Sequence, residues 1–186
     1  LATNDPGYLM EYDPVTGGVR QISKLHPTLR RDAQMTVVGS DNKIYIGEYN
    51  PLGGGALGSY DTATDTFTDI GVLDASFSSP QWAYTLAADT RYVYVGLGQS
   101  PWYLAIHDTV GQTNTMHFRD ASDSGGSVYR GVGGTNYYWR STVSGDKWYV
   151  LQNGVPTETF NTPQVAYHWV EHDGVVLDSG SYSNRF

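Results

Sequence analysis

Three tyrosine-bearing phrases recur along the chain: NKIYIGEYN, TRYVYVGLG and TNYYWRSTV. With Tyr45, Tyr94 and Tyr138 taken as equivalent, they lie 49 and 44 residues apart. A second family, GYLMEYDPVTGG, GALGSYDTATDT and YLAIHDTVGQT, aligns Tyr12, Tyr60 and His107 at spacings of 48 and 47. A third, DAQMTVVG, QWAYTLAA, SVYRGVGG and VAYHWVEH, aligns Met35, Tyr84, Tyr129 and Tyr167 at 49, 45 and 38. A repeat of roughly 40–50 residues holding about four short β-rich runs describes radially stacked sheets, because one four-stranded sheet cannot bury both faces alone.

The expected fold is therefore all-β: a β-propeller of four-stranded antiparallel blades forming one domain over residues 1–186. In each unit strand a (33–39, 83–89, 127–132, 166–171) is innermost, and strand b covers 43–48, 91–97, 136–141 and 174–179. Strand c covers 8–13, 57–62, 103–108 and 147–152, and the outer strand d covers 18–23, 66–70, 113–118 and 157–160. The chain opens with a c–d pair and closes with an a–b pair, giving three full blades and two half-blades. Either the halves complete one another in a four-bladed ring, or the chain is part of a larger propeller or a homo-oligomer that covers the open faces.

Composition agrees with this pattern. Fifteen Tyr, five Trp and 22 Gly accompany only 16% charged residues, which suits pleated surfaces joined by tight turns. The net charge of −8 argues against nucleic acid as a partner. With no cysteine, neither disulfides nor thiol chemistry are available. No apolar run approaches the ~18 residues of a membrane-spanning helix, and the first residue is Leu rather than Met. Secretion to the extracellular space is the expected location.

The phrases YLMEYDPVTGGVRQI, DNKIYIGEYNPLGGGALGSYDTATDTFTDIG and YTLAADTRYVYVGLGQSPWYLAIHD resemble the repeats of secreted bacterial and fungal propeller proteins. Among these, the chain is similar to propeller-type polysaccharide lyases, including those acting on rhamnose–glucuronate linkages and on ulvan. The likeness is best over residues 7–110 and fades after 120. The YDP-T-G hairpin is shared with Kelch-like, quinoprotein-like and lactonase-like propellers, so it marks a blade and not a chemistry. What the resemblance implies is cleavage beside a uronic acid by β-elimination. That reaction needs a cation on the carboxylate, a base for the sugar C5 proton and an acid for the departing O4, roles for which Arg, His and Tyr are the usual residue types.

Candidates for those roles follow from the third alignment, in which the residue after the repeated bulky one varies through Thr36, Thr85, Arg130 and His168. Variation at a fixed scaffold position is what a site grafted onto a repeat produces. His168 is the candidate base, Arg130 or Arg140 the carboxylate partner, and Tyr129 or Tyr167 the acid. The competing reading is structural: a hydrogen-bonded histidine, an inter-blade ion pair and core aromatics. Loop aromatics Tyr49, Trp82, Trp102 and Tyr103, with Tyr84, offer a stacking surface for sugar rings, and His26 lies in the most basic loop, KLHPTLRRD.

No cofactor is expected, and no metal. HWVEH places His168 and His172 on one strand face about 13 Å apart, too far for one ion. The alternative function is a non-catalytic propeller that binds a glycan or protein, or a repeat unit of an extracellular assembly.

Overall fold

The structure, a computed structural model, describes residues 7–131, 133–166, 169–172 and 175–178. Among them all regular structure is β. A hairpin of β1 (Tyr8–Tyr12) and β2 (Val19–Lys24) is followed by three four-stranded units. The first contains β3 (Ala33–Val38), β4 (Lys43–Glu48), β5 (Ala56–Asp61) and β6 (Thr66–Val72). The second contains β7 (Trp82–Ala88), β8 (Tyr92–Gly98), β9 (Tyr103–Asp108) and β10 (Thr113–His117). The third contains β11 (Gly125–Gly131), β12 (Asn136–Thr142), β13 (Gly145–Gln152) and β14 (Val155–Thr159). Each is an antiparallel meander paired in sequence order, as propeller blades are.

The third blade gains a fifth, short strand, β15 (Val165–Ala166), on the inner edge of β11, and β16 (Trp169–His172) with β17 (Val175–Asp178) forms a separate hairpin. The chain therefore does not enter a fourth blade at residue 166 but first pairs with the third, Ala166 opposite Arg130. The β1–β2 and β16–β17 hairpins are two distinct sheets; among the described residues they are not joined into one mixed blade.

Three apolar seams hold the array. Leu9 and Leu25 of the first hairpin region meet Ile46 and Tyr60. Tyr45, Leu57 and Leu73 of the first blade meet Leu86, Val95 and Leu97 of the second. Tyr94, Leu104 and Ile106 of the second meet Val128, Tyr138 and Tyr149 of the third. Strand a of each following blade must come close for this, and Gly47 and Gly96 permit it. A Cβ on Gly47 would stand 2.4 Å from Leu86 Cδ1 of the second blade, and one on Gly96 would stand 3.3 Å from Val128 N of the third.

The strand register corrects part of the repeat alignment. Val38 pairs with Ile44, Ala88 with Val93 and Arg130 with Asn136, all at the a–b turn. Tyr45 and Tyr94 each follow the first of these b residues by one position, so their equivalent in the third blade is Tyr137. Tyr138 is one residue out and so faces back toward the second blade rather than onward. The c-strand alignment holds for Tyr12, Tyr60 and His107, which pair seven residues onward with Val19, Phe67 and Asn114.

In strand a, Gln34 and Tyr84 are the extra residues of matching β-bulges, which makes Met35 the counterpart of Thr85. Tyr129 corresponds to Ala87 and Val37, and Arg130 to Ala88 and Val38. Met35, Tyr84 and Tyr129 are thus not equivalent, and neither are Thr36, Thr85 and Arg130. The a–b turn is one residue shorter in the second blade than in the first, which puts Tyr84 one place out of step with Met35.

Candidate functional site

Strand a starts, and strand b ends, at one end of the array, which the d–a and b–c loops cover. Four aromatic rings form a ladder there. Tyr49, just past β4, lies 4.3 Å from Trp82, the first residue of β7. Trp82 stacks on Tyr84 at 5.7 Å and 18°, and Tyr84 on Trp102 at 5.6 Å and 20°. For planes in contact at ~3.5 Å, these centroid distances mean a lateral slip of roughly 4 Å, so the rings are shingled and part of each face stays uncovered. All four side chains are half-buried.

Buried polar residues bring these segments together. Asn50 and Gln81 form an isolated β-bridge, Asn50 N donating to Gln81 O at 2.9 Å and Gln81 N to Asn50 O at 3.2 Å. Their immediate neighbours, Tyr49 and Trp82, are thereby set side by side. The Gln81 side-chain amide donates to Gln99 O at 3.1 Å, which anchors the loop carrying Trp102. The bulge at Tyr84 turns its ring toward Trp102. Asn50 and Gln81 are almost wholly buried, and Gln81 Oε1 has no hydrogen-bond partner. Sequence reasoning missed both, since only the NPLGGG turn hinted at Asn50 and nothing marked Gln81.

Tyr103 does not join the ladder. It is fully buried, edge-on to Phe77 at 5.9 Å, with the Arg119 guanidinium 5.8 Å above its ring. Burial, with the Asp74 charge added, pushes its hydroxyl pKa up.

His26 organises its own loop: Nδ1 accepts from the backbone N–H groups of Leu29 at 2.9 Å and Thr28 at 3.2 Å, and Nε2 lies 3.9 Å from Asp69. Beside it, Arg31 donates to Glu48 at 3.1 Å and lies 3.5 Å from Asp69. Arg31 is 3% exposed and Glu48 not at all, and burial pushes the Glu48 carboxyl up to about 8 despite the arginine.

Arg140 occupies the same position in the third blade that Glu48 holds in the first and Leu97 in the second. Its Nε donates to Asp123, its Nη2 lies 3.6 Å from Asp120, and it stacks over Phe118 at 5.2 Å. The bond to Asp123 raises its pKa further. Arg130 lies at the opposite end of the same blade, donating to Asn136 at 2.8 Å and lining a cavity of ≈ 770 Å³ with Val38 and Ala88. Four register steps, about 13 Å, separate Arg130 from Arg140 along the strands. Tyr129 is buried, its ring 5.6 Å from Trp148. Tyr167 and His168 lie outside the described residues. The arrangement can therefore present ring faces, amides and hydroxyls to a ligand at the loop-bearing end.

No family model matches the chain, and no curated protein matches it. Among solved structures it is similar to the extracellular domain of BT4673 from B. thetaiotaomicron, at 18% identity and a TM-score of 0.58. It is also similar to TolB from Acinetobacter baumannii, at 12% identity and a TM-score of 0.50. The matches cover 90% and 88% of this chain but only 21% and 41% of those two proteins. Both are propeller-type folds, and the chain is a run of β-propeller blades.

Proposed function

We propose that the chain is the ligand-binding section of an extracellular β-propeller, and that the end carrying Tyr49, Trp82, Tyr84 and Trp102 binds sugar rings without cleaving them. The observation that carries this reading is the shingled ladder, assembled from three separate segments by the buried Asn50–Gln81 bridge. Partly exposed aromatic faces suit the C–H face of a pyranose, combining apolar burial with polarised contacts. Of the two arginines that were alternatives for a lyase's carboxylate partner, Arg140 shares the loop-bearing end but already donates to Asp123, and Arg130 stands at the other end. The extracellular setting draws support from the extracellular domain among the similar structures. The half-blades at either end are then docking edges for further blades, of the same polypeptide or another copy.

Titration with soluble oligosaccharides, followed by tryptophan fluorescence, tests the proposal. Binding should quench the signal, and Trp82→Ala should weaken it roughly five- to tenfold. Release of ultraviolet-absorbing unsaturated uronates from any acidic glycan would reverse the non-catalytic assignment.

A further inference from the structure

Strands b and c of the three complete blades are interior strands, each paired on both edges. Two strands of the same rank are not. Among the described residues β1, a c strand, pairs only with β2, and β17, a b strand, pairs only with β16. The chain thus holds a c–d hairpin without its a–b half and an a–b hairpin without its c–d half. Each leaves a row of backbone N–H and C=O groups able to pair with another strand.

A cavity of ≈ 510 Å³ runs along β1, between the first hairpin and the first blade. Leu9, Met10 and Ile22 line it from the hairpin, and Ala33, Met35 and Ile44 from strands a and b of the blade. Between complete blades the inner strands of the preceding blade occupy this space. Tyr45 of β4 shares a core with Leu86 and Val95, and Tyr94 of β8 with Val128 and Tyr138. The cavity is therefore an apolar slot shaped for an a–b hairpin. The chain does not fill it: none of the described residues of β16 and β17 lines it, and their sheet lies past the third blade, against β15. Tyr12 and Val19, paired on the first hairpin, stay 53% and 62% exposed.

Resting on the reading of the half-blades as docking edges, we infer that the slot takes the β16–β17 hairpin of a second copy, β17 pairing with β1 to complete a blade from two chains. Strand addition of this kind draws affinity from main-chain hydrogen bonds and specificity from the pockets beside them. Each chain then brings three complete blades and a share in two composite ones. Two copies that exchange hairpins reciprocally make a ring of eight, the upper end of the range of roughly four to eight blades, so assembly closes at the dimer. None of the lining residues of the slot belongs to the ladder, so sugar binding stands or falls separately.

Light scattering on the full chain should give twice the mass of one chain, and cysteine pairing locates the contact. In the first two blades Tyr60 pairs with Ile44 and His107 with Val93, at the turn end of strand b. Tyr12 is their counterpart and comes opposite the turn end of β17, at Val175 or Val176. The chain has no cysteine of its own. A Tyr12→Cys chain mixed under mild oxidation with a Val175→Cys or Val176→Cys chain should therefore form a disulfide between the two, whereas Tyr12→Cys by itself should form none. A chain carrying Tyr12→Cys together with Val175→Cys or Val176→Cys that closes the disulfide internally, at the mass of one chain, overturns the second copy in favour of a four-bladed ring. The mass of one chain with no disulfide in any combination also overturns it and assigns the slot to blades of a longer polypeptide.

Discussion

Replacing both members of the buried Arg31–Glu48 pair with leucine should stabilise the protein and remove a pH dependence. An unfolded glutamate titrates near 4.5, whereas Glu48 in the fold titrates at about 8 because burial opposes its charge more than Arg31 favours it. Between those values the folded state keeps a proton that the unfolded chain has released. The contribution of Glu48 to stability is therefore fully present below pH 4.5 and is lost as the pH rises to 8. The shift corresponds to at most ~5 kcal/mol. Leu97 already shows that a leucine fits this position, fully buried in the second blade. Arg31→Leu with Glu48→Leu should then be neutral or stabilising by about 1–4 kcal/mol near pH 8, each kcal/mol raising Tm by about 2–4 °C.

Glu48→Leu alone leaves Arg31 buried with only Asp69, at 3.5 Å, and should cost about 3 kcal/mol. Urea denaturation read by tryptophan fluorescence at several pH values between 5 and 8.5 measures all three proteins. The difference between wild type and double variant isolates the pair from every other titrating group. A wild type that does not lose stability relative to the double variant as the pH rises would refute the argument.

Other outcomes follow from the same packing. Burial raises the hydroxyl pKa of Tyr45, Tyr94, Tyr103 and Tyr138, so these four of the fifteen tyrosines should show no phenolate absorbance above pH 10 until the fold opens. Because their folded pKa lies above the unfolded value, the stability they confer is present below pH 10 and lost as the pH rises further. Gly54 has φ +73° and a Cβ on it would stand 2.1 Å from Asp74 O. Gly54→Ala should lower urea stability by at least ~2 kcal/mol, combining left-handed strain with a backbone clash.

Blade architecture was legible because hairpin chemistry repeats locally. The interval from Tyr60 to Phe67 recurs from Tyr12 to Val19 and from His107 to Asn114. Which face each residue takes was less legible. Period-two side chains turn a one-residue error into a change of side, and so Tyr138 was matched with Tyr94 when Tyr137 is its counterpart. The bulge that aims Tyr84 leaves no mark in a single sequence. Tyr49, Trp82 and Trp102 were legible as loop aromatics, but their contact depends on Gln81, whose role is visible only once Asn50 lies opposite it. Tyr103, one residue past Trp102, shows how sharply strand alternation separates a surface ring from a core ring.

The buried ion pairs at the starts of the first and third blades also bear on how the blades find their places. Arg31 and Asp123 each stand two residues before their strand a, and each meets the end of strand b, at Glu48 and Arg140 respectively. The two pairs have opposite polarity, and the second blade has Leu97 at the matching site. Blades of similar outline would otherwise exchange segments during folding, a characteristic failure of repeat proteins. Docking the lead-in of one blade onto the strand of the other would set Arg31 against Arg140 or Asp123 against Glu48. The first mismatch buries two guanidinium groups together, and the second takes from Asp123 the cation that neutralises it and gives it an acid instead. The polarity acts as an address that keeps the blades in sequence order.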